Sequence, residues 1–277
     1  MLRDGGYPPS RNTDDKNTYM SIRPESIAND LIAEMFTLLE RGHLVTRDSA
    51  EMTHFLDQIN KMDPGQHNRA LSLRATAYHL YGDVAAALEQ LAGMTSEDGR
   101  HPDFDRLCVL ANLGFAQEGL AFYKRVGSPE SGMFTTMVPA AVSIGAFRTI
   151  GTHISRAISM HLSNLGSIPT KTLTSAARIL QERGTEDEQV AAVLAVSGEV
   201  LRSYGLVFLG RALVDTFDEQ GLVRLCFRLA VTPEQAASLY MELLDRLDER
   251  DIKMPPGFLV DFEGAQITTP EHEESHA

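Results

Sequence analysis

A chain of 277 residues, 43% hydrophobic and 23% charged, has the composition of a soluble globular protein with room for one large domain or two small ones. Its formal net charge of −13, with no long Lys/Arg run against it, makes it a poor generic ligand for a polyanionic nucleic-acid backbone. No stretch approaches the ~18–20 apolar residues that a membrane span needs, and Met1 to Arg23 lacks the apolar core of a secretory signal. The two cysteines, Cys108 and Cys226, stand in apolar helical patterns without metal-binding spacing. They read as buried, reduced thiols, and the expected location is the cytoplasm. Trp is absent while Leu, Ala and Met are plentiful, which favours helix over sheet.

In chain order, residues 1–23 are polar and turn-rich, and a disordered arm is expected there. From Pro24 onward Ile27, Leu31, Met35, Leu38 and Leu39 recur at helical spacing, and Gly42 supplies a stop. A second helix opens near Asp48, carries Met52, Phe55, Leu56 and Ile59 on one face, and ends at Asp63-Pro64-Gly65. Three helical pairs follow, over 67–81 and 84–94, 103–113 and 115–126, and about 133–144 and 146–163. They turn at Gly82, Gly114 and Gly145, so the spacing is about 32 residues. Pro139 requires the fifth of these helices to start late or kink. Two further helices span Pro169 to Arg183 and Thr185 to about Ser203. After Gly205 two shorter helices are expected, one bearing Leu209, Leu213 and Phe217, the next Leu222, Cys226 and Phe227. Thr232-Pro233-Glu234-Gln235 opens a last helix with Ala236, Leu239, Tyr240, Leu243, Leu244 and Leu247 on one face. Beyond Asp251 the period ends. The expected organisation is an arm (1–23), a helical repeat domain (24–252) and a flexible acidic tail (253–277).

The first pair resembles a tetratricopeptide repeat at Leu71, Ala75, Tyr78, Gly82, Asp83, Ala87 and Leu91. Small residues at 75 and 87 let two helices approach, and Gly82 suits the tight turn. Leu107, Leu110, Gly114 and Tyr123 continue the resemblance in the second pair, with Gly119 where a small Ala is usual. Val138, Ala141 and Gly145 continue it in the third. The expected fold class is therefore all-α, a helical-hairpin array of the α-solenoid type with about eleven helices. The resemblance implies that the first helix of each pair lines a concave groove. That assigns Arg69, Ser72, Thr76, His79 and Leu80, then His101, Phe104, Cys108 and Asn112, to partner binding. Ser72 and Thr76 stand where relatives that grip a terminal carboxylate place Lys and Asn, so that activity is not implied.

Chemical motifs are few. His272-Glu273-Glu274-Ser275-His276 has the spacing of a zinc-peptidase helix, but no apolar face holds it as a helix and no third ligand accompanies it. Gly205 to Gly210 lacks the Lys-Ser/Thr of a phosphate loop, because Arg211 and Ala212 follow. The expectation is a protein without catalytic residues, metal or cofactor. It would be an adaptor or chaperone that holds a partner's helix or extended peptide, similar to bacterial secretion chaperones and regulators. Direct nucleic-acid and membrane partners are not expected. Apolar surface on the terminal helices would cap the stack or form a homodimer. The alternative is an acidic inhibitor or immunity-type protein that blocks a basic site on an enzyme or nucleic-acid-binding protein.

Overall fold

The computed structural model describes residues 24–95, 101–208 and 212–264. The arm before Pro24 and the His272 to His276 motif lie outside them, as does Leu209. Eleven α-helices stand among the described residues: α1 (Pro24–Glu40), α2 (Ala50–Asn60), α3 (His67–Leu80), α4 (Val84–Ala92), α5 (Pro102–Asn112), α6 (Ala116–Val126), α7 (Phe134–Ser143), α8 (Phe147–Ser159), α9 (Thr170–Glu182), α10 (Asp187–Ser203) and α11 (Pro233–Glu249). Helix α7 begins at Phe134, close to the expected 133, so Pro139 lies inside the helix, in its second turn, and not at a late start.

The pairs α3/α4, α5/α6 and α7/α8 are hairpins, and one capping device closes the first helix of each. Gly82, Gly114 and Gly145 have φ of 84°, 69° and 82°. At each, the following residue's N–H reaches back to a carbonyl five residues earlier: Asp83 to Tyr78, Phe115 to Leu110, Ala146 to Ala141. This is the Schellman arrangement, which uses the left-handed glycine to satisfy the last carbonyls of a helix. Gly184 and Gly205 repeat it after α9 and α10.

The array does not continue as further stacked pairs. Helix α10 runs along the edge formed by these turns. Gly145 meets Val190 and Leu194, and Gly114 lies backbone to backbone on Gly198. The Arg202 guanidinium donates to the Leu113 carbonyl and sits 4.2 Å over the Phe115 ring. At the start of α10 the buried Asp187 carboxylate accepts from the backbone N–H groups of Arg148 and Thr149, at 2.8 and 2.9 Å. It thereby caps α8 from another helix. Past α10 the extended segment 205–208 carries the strap to the remaining turns. Leu44 N–H donates to the Gly205 carbonyl, Val207 N–H to Gly42, and Phe208 N–H to Asn112.

The expectation of an all-α chain is overturned beyond this point. Leu213–Phe217 (β1), Leu222–Leu229 (β2) and Phe258–Gly264 (β3) form a mixed sheet of order β1-β2-β3. β1 and β2 are an antiparallel hairpin from Leu213↔Cys226 to Phe217↔Leu222. β2 and β3 are parallel, from Val223↔Phe258 to Leu229↔Gly264, with α11 as their crossover. The residues assigned to two short helices are thus strands, and the strand β3 draws on residues 258–264 of the expected tail. The physical reason is a competing period of two. Val223, Leu225, Phe227 and Leu229 are buried on one face with Phe258, Val260 and Phe262, while Arg224 and Arg228 point the other way. Helices α9 and α11 pack against the apolar face. Phe208 meets Phe227 edge-on at 4.6 Å, joining the sheet to the strap.

Candidate functional site

Helix α3 carries most of the residues expected in the groove, and its three faces have different fates. Ala70, Leu73, Ala77 and Leu80 are buried with α1 and α2. Leu71 and Ala75 pack with Ala87 and Leu91 of α4. The third face carries Arg69, Ser72, Thr76 and His79, spaced three and four apart in one stripe, with Gln66 the capping residue just before the helix.

Leu80 does not belong to that stripe. It is 0% exposed, and its carbonyl accepts from Val45 N–H at 2.8 Å. By spacing Leu80 follows Thr76 by four residues, but its side chain is taken up in the packing with α1 and α2, so the groove assignment fails there. His79 is 6% exposed, and burial lowers its pKa to about 4, so the imidazole is neutral at pH 7.

The stripe holds an unusual concentration of unpaired polar atoms. Buried Gln66 Oε1, Arg69 Nε and His79 Nε2 all lack a hydrogen-bond partner in the protein. Arg69 is held in place from its other side, its Nη2 donating to Asn29 Oδ1 of α1. Thr76 Oγ1 donates to the Ser72 carbonyl at 3.0 Å, and both residues are half-buried. A buried donor or acceptor left unmade costs about 1–3 kcal/mol, so three along one helix face call for an explanation.

On α5, His101 is exposed, Asn112 is half-buried, and Phe104 and Cys108 are half-buried against the main core. The principal neighbours of α5 are α4, α6 and α7. The two halves of the expected groove therefore do not converge as one set. They meet at the strap, where the Asn112 carbonyl accepts from Phe208 at 3.2 Å and Val207 is buried among Leu71, Ala75 and Val109. The chain's own segment 205–208 thus packs on the α4-facing side of α3, not on the stripe. Gln66 was not foreseen, since it precedes the helical period. Its three-residue offset from Arg69 was the available signal.

Away from α3, Tyr123 Oη and His153 Nδ1 are also buried without a hydrogen-bond partner, their rings 5.7 Å apart, whereas the charged groups of the sheet and of the α8/α9 cleft are compensated. Arg224, on the outer sheet face, donates to Asp261 and Glu263 at 2.7 Å each, and Arg228 takes the second Glu263 oxygen. Cys226, Asp261 and Glu263 have ligand atoms within 4.8 Å of one another, but these arginines and Phe262 N–H already engage the carboxylate oxygens. Burial pushes the Cys226 thiol up to about 11 and the Cys108 thiol to about 12, with Glu263 and Asp105 adding to the respective effects. Both stay protonated at neutral pH and are poor nucleophiles. A polar cleft of about 310 Å³ between α8 and α9 is flanked by Arg148 and Arg178. Glu186 pairs with the first arginine, and Glu182 and Asp218 with the second.

Comparison with protein-family models, curated proteins and solved structures finds no significant match.

Proposed function

We propose that the protein is a non-catalytic adaptor that holds an extended segment of another polypeptide along the Gln66–Arg69–Ser72–Thr76–His79 face of α3. The observation that carries this reading is the row of buried, unpartnered polar atoms at Gln66, Arg69 and His79. These atoms are closed to solvent in the unbound protein, and the row provides a donor at Arg69, an acceptor at Gln66 and a ring nitrogen at His79 once the side chains turn outward to a partner. A peptide main chain supplies both donors and acceptors at every residue, which matches such a mixed row better than a simple anion does. From residue 66 to residue 79 the helix rises about 20 Å, the length of about six extended residues. The tetratricopeptide-like pattern at Leu71 to Leu91 supports the same face, because in such arrays the first helix of a pair is the one that meets the partner.

Selection from a random peptide library on the wild-type protein tests the reading. Selected peptides should lose at least tenfold in affinity for a Ser72→Glu/Thr76→Glu variant that retains wild-type helicity. Equal binding to both proteins would remove the α3 face as the site.

A further inference from the structure

Helix α11 separates its charges in a way that packing alone does not require. Its one arginine, Arg246, and Arg250 just past its end turn toward α10: Arg246 donates to Ser203 Oγ and to Glu242, and Arg250 pairs with Glu199. Leu239, Leu243 and Leu247 fill the core. The remaining face carries Ala237, Met241 and Leu244 at four- and three-residue spacing, with Asp248 continuing the line and Glu234 and Asp245 beside it. Met241 is 57% exposed and Leu244 36%. Asp245 and Asp248 form no ion pair among the described residues. An apolar ridge edged by uncompensated carboxylates is thus left facing solvent, while the helix's own cations are used elsewhere.

We infer that this face of α11 is a second docking surface, and that its occupant is a basic amphipathic helix of a partner protein. Apolar side chains of the partner at i, i+3 and i+7 would cover Met241 and Leu244, and its flanking Lys or Arg would meet Asp245, Asp248 and Glu234. A second copy of this chain fits poorly. Two α11 ridges face to face would set like-charged rims against each other. The inference is independent of the α3 site, and together the two surfaces would let one molecule bridge two partners.

The probe is a designed helical peptide with Leu at i, i+3 and i+7 and Lys or Arg at its other exposed positions. A scramble of identical composition is the control. Affinity is measured by fluorescence anisotropy at low and physiological salt on the full chain. The amphipathic peptide should bind at least tenfold tighter than the scramble. Met241→Lys/Leu244→Lys should abolish that difference, and Asp245→Asn/Asp248→Asn should flatten the salt dependence. Ser72→Glu/Thr76→Glu should leave it unchanged, which separates this surface from the α3 face. All of these positions are exposed or half-exposed, and helicity of each variant is checked by circular dichroism. Equal binding of peptide and scramble would mean non-specific attraction to an acidic protein, and the inference would be wrong. It would be equally wrong if the Met241/Leu244 variant bound as wild type, or if its only effect were loss of self-association, since the face would then belong to a second copy.

Discussion

His79 and Leu80, two neighbours on one helix, are both buried, but only His79 brings an unpartnered polar atom into the interior. Leu80→Asp places a carboxylate where exposure is 0%, and it should destabilise the protein by more than about 3 kcal/mol in urea unfolding. Ser72→Glu/Thr76→Glu, on the half-buried stripe, should cost about 1 kcal/mol or less. His79 makes a pH prediction with a defined sign. Its folded pKa of about 4 lies below the unfolded value of 6.5, so the unfolded chain takes up the proton first. Its contribution is fully present above pH 6.5 and is lost as pH falls from there toward 4, at most about 3 kcal/mol. His79→Gln should flatten that part of the stability–pH curve, and an unchanged slope would show that the imidazole is not buried as described. Asp187 is a different kind of residue. It caps α8 across a helix boundary, with Thr149 Oγ1 as a third donor at 2.7 Å. Asp187→Ala leaves those donors unmade, and a loss of about 2–4 kcal/mol is expected in the same measurement.

Among the elements, α10 sets the shape of the array by lying on its turns. Gly114 combines a φ of 69° with backbone contact to Gly198, so a methyl group at either position meets main chain. Gly198→Ala should therefore lower stability by about 3 kcal/mol or more, although alanine normally favours a helix interior over glycine. A neutral or stabilising result in a denaturant titration would refute the crossing. The hairpins were legible because three glycines at regular spacing mark three Schellman turns, a local signal. The strap was not, since Gly198 reads as a weak point in a helix until Gly114 is brought to it. The sheet was misread for a related reason. Leu213 and Phe217, or Leu222 and Cys226, satisfy a spacing of four, while Val223, Leu225, Phe227 and Leu229 satisfy a spacing of two. Short apolar runs carry both periods. The decision came from tertiary structure, where α9 and α11 offer a flat apolar surface for a strand face. Of the groove, the stripe Arg69–Ser72–Thr76–His79 could be drawn from the helical period. Its junction with α5 could not, because α4 packs against both helices and Val207 is buried among Leu71, Ala75 and Val109.

The molecule as a whole joins a hairpin array to a small mixed sheet through one continuous core. Buried side chains run from Leu107 and Leu110 of α5 through α7, α8 and α10 to Phe258 and Phe262 of β3. The first helices form a separate cluster around Met35, Phe55 and Leu73. Helix α3 belongs to that smaller cluster and to the packing with α4, and its third face holds three of the five buried side-chain atoms without a hydrogen-bond partner among the described residues. Helix α1 holds that face in position by anchoring Arg69 through Asn29. The most direct test is NMR of the side-chain nitrogens, with ¹⁵N-labelled protein titrated by a library-selected peptide. His79 Nε2 and Arg69 Nε should shift together on binding, with the slowed exchange of newly formed hydrogen bonds. A peptide that binds while both resonances stay where they are would contradict the account.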